Sequence, residues 1–278
     1  YGTGDPAEWT WLGATQGTAR VFSNNHSSGY RNYLEIWPGS GGQSTTQFST
    51  GSDPGQSTVT SYNSDGDLAV AWARYGVINL QRFNTAGQSL AAPVTLNAGY
   101  DTDPVLRSLD GGGVVLAWRG DNILQLRFYD ANGTAVSDIY TFDNGRISRD
   151  PIFLQVGERR DLLVGWANTS AGDESAFYIQ RFSRLGELRG DAISLVGNTS
   201  DFSMVELAGG EYAVALTKAG VASNNAIKVY QFSHDDTLLS APQLRFSVDS
   251  GRFDNDLITA TAEQTITATL INPLAADE

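Results

Sequence analysis

Residues 103–128 read DPVLRSLDGGGVVLAWRGDNILQLRF. The stretch parses as a strand, a Gly-rich turn, a second strand ending on Trp118, a short turn, and a third strand ending on Arg127 and Phe128. Asp-Gly and Asp-Asn pairs between apolar runs are β-hairpin chemistry. The phrase recurs. Units begin at Asp5, Asp53, Asp103, Asp150, Asp201 and Asp254, which lie 48, 50, 47, 51 and 53 residues apart. A period near 50 that contains only β signals predicts the blades of a β-propeller rather than a helical solenoid.

Each unit supplies a second strand: TARVF, DLAVAW, VVLAW, LLVGW, YAVAL and TITATL. A third strand follows in five of them: YLEIW, INLQRF, LQLRF, YIQRF and IKVYQF. A turn such as NTAGQ, YDANG or SRLGE leads to a more polar fourth strand, of which APVTLN and APQLRFSV are examples. The inner strands carry apolar residues on both faces, as blades packed face to face require. A sandwich or β-solenoid is the alternative. The expected architecture is therefore one propeller-like domain over residues 1–278, with five complete four-stranded units and a half unit at the C-terminal end. The unfinished sixth unit leaves ring closure open, and the start at Tyr1 without Met suggests a processed or trimmed chain.

Composition narrows the partners. Eighteen Lys and Arg against 31 Asp and Glu give a net charge of −13 in 278 residues. Such a chain repels phosphate backbones, so nucleic acid is a poor partner. No apolar run is long enough for a membrane-spanning helix. The absence of cysteine excludes disulfides, Cys-ligated zinc and a thiol nucleophile. The two histidines, His26 and His234, lie in polar segments, and no G-x-S-x-G, phosphate loop or HExxH occurs. A carboxylate pair for glycoside hydrolysis cannot be singled out among so many acids.

Recurrent residues read as structural. Trp72, Trp118 and Trp166 share one repeat position with Phe22 and Leu216, which suits a core wedge better than a ring of sugar-stacking aromatics. Asp53, Asp103 and Asp150 open their units, and Arg82, Arg127 and Arg181 precede the third-strand aromatic, so an Asp–Arg pair per blade is expected. Asp65 and Asp67 lie in a turn that resembles part of a calcium loop but lacks its closing Glu, which makes calcium the one cofactor the loops suggest. Ligand contacts are expected from the variable loops after the second strand, through Asn25, His26, Tyr30, Tyr75, Asp121, Asn122, Asp173 and Asn224.

The phrases DGDLAVAW…INLQRFNTAG, DGGGVVLAW…LQLRFYDANG and LLVGW…FYIQRFSRLG resemble the "DGG-VV-W…QRF-G" repeats of large secreted bacterial proteins of the RTX and adhesin type. The resemblance implies a bacterial, secreted or surface-displayed propeller-like module and carries no catalytic residues. The nonapeptide calcium repeat of RTX proteins is absent. The leading expectation is a non-enzymatic adhesion module for a glycan or a cell-surface partner. A self-associating structural subunit joined through open β edges is the alternative, and a propeller glycoside hydrolase or lyase ranks third.

Overall fold

A computed structural model describes residues 8–11, 17–27, 29–38, 42–51, 57–63, 65–99, 102–121, 123–142, 146–147, 150–169, 176–196, 199–218, 226–240, 243–246 and 266–269. The chain divides into two compact units: Tyr1–Pro151 with Arg184–Glu187, and Ile152–Ser183 with Leu188–Glu278. The first holds three antiparallel four-stranded meanders. They are Glu8–Trp11, Thr18–His26, Gly29–Trp37, Ser44–Gly51; then Ser57–Ser61, Leu68–Arg74, Val77–Phe83, Val94–Asn97; then Asp103–Ser108, Val114–Gly120, Ile123–Tyr129, Tyr140–Phe142. The second holds two more: Ile152–Val156, Asp161–Thr169, Ala176–Phe182, Leu188–Val196; and Thr199–Glu206, Tyr212–Lys218, Ala226–Phe232, Leu238–Ser240. These meanders are the blades of a β-propeller fold.

The last hairpin departs from the sequence reading. Gln243–Phe246, expected as the fourth strand of the fifth blade, pairs instead with Ile266–Thr269, and Leu238–Ser240 takes the blade's outer position. The strand expected from Asp254 lies outside the described residues.

What joins one blade to the next is written in the second strands. In Leu68–Arg74 every residue through Ala73 is buried, so both faces are covered. Alternation still matters, because it sorts large from small. Leu68, Val70 and Trp72 pack in one cluster with Ala19, Val21, Leu34 and Ile36 of the first blade. The other face, Ala69, Ala71 and Ala73, packs in a second cluster with Val114, Leu116 and Trp118 of the third blade. The second unit repeats the scheme, with Leu163 and Ala167 in one cluster with Tyr212, Val214 and Leu216. Within each unit the alanines of one blade's second strand, Ala19, Ala69, Ala71, Ala73 and Ala167, thus share a cluster with the large residues of the next blade's second strand. At Gly165 even a methyl is too much: it would stand 2.6 Å from Phe177 and 3.2 Å from Met204 of the next blade. Side-chain bulk is felt at the level of single methyl groups in such interfaces.

A second device locks blades at the turn after the third strand. In 84–88, 130–134 and 233–237 the first residue's amide donates to the fifth residue's carbonyl at 2.9 Å, and the fourth residue's amide donates back to the first residue's carbonyl at 2.9–3.1 Å. The fourth residue needs a left-handed backbone: Gly87 (φ 78°), Gly133 (φ 86°), Gly186 (φ 84°) and Asp236 (φ 70°). Each packs against the preceding blade. A methyl on Gly133 would meet Arg82 at 3.0 Å, one on Gly186 would meet Phe128 at 2.5 Å, and one on Gly87 would meet Thr46 Oγ1 at 2.6 Å and approach Ile36 at 3.7 Å. Asp236 does more. Its carboxylate accepts from Arg181 Nε at 2.9 Å and Nη2 at 2.5 Å, and from the Tyr212 hydroxyl at 3.0 Å. A fork of charge-assisted bonds offsets an αL cost of roughly 1 kcal/mol.

This register corrects the expected Asp–Arg pairing. Counted back from the turn, Arg82 and Arg181 align with Phe128, and Arg127 falls one position earlier, beside Gln81 and Gln180. The acid partner stands at the start of the second strand or just before it, and is not the unit-opening Asp. Arg82 lies 3.7 Å from Asp67, Arg181 lies 3.7 Å from Asp161, and Gln231 donates to Glu211 at 2.8 Å. Where the third-strand residue is apolar, Ile36 or Phe128, that preceding position is Gly17 or Gly113. Polar meets polar and apolar meets glycine, as the cost of an unpaired buried charge demands. Asp103 instead pairs with Arg119 at 2.8 Å, Asp150 is exposed, Arg127 donates to the Ser137 carbonyl at 3.1 Å, and Asp53 lies outside the described residues.

Two outcomes follow from this packing. Ala71→Leu overfills the interface between the second and third blades and lowers the unfolding free energy by about 1–3 kcal/mol in urea titrations, whereas Trp118→Ala empties it and costs roughly 3–5 kcal/mol. The second outcome concerns alkali. Burial pushes the Tyr62 phenol from its ordinary 10.0 up to about 12, against the opposing pull of Arg82. Tyr62 donates to the Asp130 carbonyl at 2.5 Å beneath the Arg82 guanidinium. The folded state then holds a proton that the unfolded state has lost, so this contribution is whole below pH 10 and fades from about pH 10 to about 12. Urea titrations of wild type and Tyr62→Phe at stepped alkaline pH check this, since the variant loses part of that decline.

Candidate functional site

The turns between second and third strands build the edge from which ligand contacts were expected. In the second blade Arg74 pairs with Val77, leaving Tyr75 and Gly76 as a two-residue loop. In the third, Gly120 pairs with Ile123 around Asp121 and Asn122. Two-residue loops that match the twist of a hairpin take positive φ, and Asn, Asp and Gly supply it cheaply. Asp121 at φ 51° and Gly76 at φ 76° fit this rule. Tyr75, at φ 50°, does not. A bulky L-residue there costs about 1 kcal/mol or more.

The segment between these blades binds both turns together. The Ala98 amide donates to the Gly76 carbonyl at 2.8 Å. Thr102 Oγ1 donates to the Gly99 carbonyl at 2.7 Å. Three glycines allow the approach. A methyl on Gly76 would stand 2.9 Å from the Gly99 carbonyl oxygen, one on Gly99 would stand 2.7 Å from an Asp121 carboxylate oxygen, and one on Gly120 would overlap the Ala98 carbonyl. Tyr75, Gly99 and Asp121 therefore form one continuous edge.

That edge carries an exposed aromatic residue, Tyr75, and, on the next blade's turn, an exposed carboxylate, Asp121. The Tyr75 ring is 62% exposed, the highest value among the large hydrophobic side chains described. The Arg74 guanidinium covers it at 5.0 Å from the ring centroid and donates to the Thr50 carbonyl. Arg119, just before the second turn, donates to Asp103 at 2.8 Å. Arg119 is ion-paired, Arg74 keeps its charge against the Tyr75 ring, and Asp121 is exposed at the turn.

Other expected contacts fall elsewhere. Tyr30 is half-buried in its strand, where it pairs with Asn25 and Gly51. Asn25 and His26 end the strand Thr18–His26, and their side chains lie outside the described part. Asn122, Asp173 and Asn224 also lie outside the described residues. At the proposed calcium turn, Asn63 Oδ1 accepts from the amides of Asp65 and Asp67 at 3.1 Å, and Asp67 faces Asn63 and Arg82. Among the described residues, no group of three or more His, Cys, Asp or Glu is placed to hold a metal ion. Trp118 and Trp166 are fully buried and Trp72 nearly so, which removes them from any ligand. Asp236 escaped sequence reading, because nothing local marks an Asp that replaces a turn glycine.

No protein-family model matches the chain, and no curated protein matches it by sequence. Solved structures do. The β-propeller domain of the trilobed protease from Pyrococcus furiosus is similar, with a TM-score of 0.50 and 12% identity over 84% of this chain and 69% of that one. An α-L-arabinofuranosidase from Clostridium thermocellum aligns with a TM-score of 0.43 and 10% identity, over 84% of this chain and 93% of its own. A GH43 protein from Bacillus licheniformis aligns with a TM-score of 0.39 and 12% identity, over 84% and 53%. At these identities the likeness shows the fold alone, and the fold is that of β-propellers.

One expectation is corrected by these likenesses. The chain was read as a non-enzyme because no catalytic motif stands out, yet chains of similar fold include a glycosidase. The physical reason is plain: carboxylates contributed by separate blades leave no local signature in a sequence. The missing motif is no ground for excluding catalysis.

The continuity of the edge has a mutational consequence. Gly99→Ala, at φ 81° and against Asp121, lowers stability by roughly 2 kcal/mol. Gly190→Ala, at φ 64° with open space around it, loses only about 1 kcal/mol. Urea unfolding of the two variants measures the difference.

Proposed function

We propose that this chain is an extracellular carbohydrate-recognising propeller that engages sugar along the Tyr75–Gly99–Asp121 edge. The observation that carries the reading is Tyr75: an exposed aromatic ring held on a left-handed backbone where Gly, Asn or Asp would be more stable. Non-glycine residues in such conformations gather where a side chain must be presented. An exposed ring offers a stacking face for a pyranose, and the Asp121 carboxylate on the next blade's turn accepts hydrogen bonds from hydroxyls. The acidic composition and the repeat resemblance support a secreted or surface-displayed setting. The reading covers a hydrolase as well as a lectin, since both must first bind sugar.

The test separates function from stability. Tyr75→Asn keeps a residue suited to positive φ and removes the ring. Its unfolding free energy stays equal or rises by about 1 kcal/mol. Its binding on a glycan array falls about tenfold or more. Release of chromophore from aryl glycosides, followed in parallel, would reveal turnover at the same edge. Unchanged glycan binding by Tyr75→Asn would sink the reading.

A further inference from the structure

Resting on that reading, we infer that Tyr75 and Arg74 together take an acidic sugar, a pyranose bearing a carboxylate, with Arg74 holding the anion. Two departures from the rest of the fold stand side by side in the chain. One is the Tyr75 ring, exposed on a left-handed backbone. The other is the guanidinium against that ring. Half-buried arginines elsewhere in this unit come with an acid: Arg20 with Glu35, Arg82 with Asp67, Arg119 with Asp103. Arg74 is half-buried too, yet no carboxylate among the described residues lies within ion-pair reach of it. Its one hydrogen bond among those residues runs from Nη1 to the neutral Thr50 carbonyl, at the exposed surface, and its Nε is buried without a partner. A cation drawn partly out of water with no anion beside it is costly, and a bound carboxylate would relieve that cost.

The two side chains suit one ligand. A guanidinium stacks on aromatic faces and also pairs with a carboxylate through its planar fork of donors. A uronic acid carries its carboxylate on the pyranose itself, so a single sugar residue can meet both the Tyr75 ring and a guanidinium 5.0 Å from that ring's centroid. The net charge of −13 opposes any anion at long range. Screening confines that opposition to about 8 Å at physiological ionic strength, so a short oligomer feels chiefly the groups it touches.

The experiment uses β-1,4-linked oligomers of glucose and of glucuronic acid, titrated calorimetrically into wild type, Arg74→Gln, Arg74→Lys and Tyr75→Asn at moderate salt. Wild type should bind the glucuronate oligomer about threefold or more tighter than the glucose oligomer. Arg74→Gln keeps a donor for the Thr50 carbonyl but loses the charge, and it should lose that preference. Arg74→Lys keeps the charge without the planar fork and should retain only part of it. Tyr75→Asn should weaken both oligomers, because it removes the ring on which each stacks. Glucuronate bound no tighter than glucose by wild type would overturn the inference while leaving carbohydrate recognition intact, and that comparison stands even where an Arg74 variant fails to fold. A preference that survives in Arg74→Gln would overturn the assignment to Arg74. If neither oligomer binds, the glycan array decides. Acidic glycans among the hits that Tyr75→Asn abolishes uphold the inference, and neutral ones alone overturn it. An array on which Tyr75→Asn changes nothing removes the underlying reading and the inference with it.

Discussion

Large side chains laid on small ones set the spacing of the blades in this protein. The second strands of the second, third and fourth meanders are buried on both faces, so hydrophobicity alone could not orient them. Size does. Trp72 and Trp118 sit on the large faces of their strands, and the Ala69, Ala71, Ala73 face is left for the neighbour to fill. Gly165 takes the idea to its limit, with the sheet backbone itself forming the floor for Met204. Close packing makes such interfaces intolerant of added volume, which accounts for the Ala and Gly recurring between Val, Leu and Trp in every second strand.

The third-to-fourth-strand turns add direction to that stacking. One residue of each blade reaches the αL position of the next blade's turn, and its character decides what surrounds it. Arg82 and Arg181 come with Asp67 and Asp161; Phe128 and Ile36 come with glycine at the same place. Within the second unit, Asp236 turns the αL position itself into a ligand for Arg181 and Tyr212. The interaction is well formed because Arg181 is nearly buried, at 9% side-chain exposure, and a buried guanidinium without partners would be expensive.

The edge formed by Tyr75, Gly99 and Asp121 stands apart from this structural logic. Its glycines serve close backbone approach, as elsewhere in the fold, yet the residue they present is an exposed ring in a strained conformation. Consistency between local preference and fold is the rule for structural positions, and departures from it mark positions held for another purpose.

The sequence by itself determined the period, the four-strand unit and the all-β class. Alternating apolar runs and Asn-Gly or Asp-Gly turns are local signals, complete within a dozen residues. It also supplied Tyr75 and Asp121 as loop residues. Tertiary structure decided the rest. The one-residue offset that puts Phe128, not Arg127, in the place of Arg82 is invisible when strings are aligned on their shared Arg-Phe, because register is set by the following turn and not by the motif. The pairing of Gln243–Phe246 with Ile266–Thr269 is likewise a choice among strands of similar character. Asp236 as partner of Arg181, and Gly99 as the link between Tyr75 and Asp121, depend on which residues successive blades bring together, and such contacts join positions tens of residues apart that no local pattern connects.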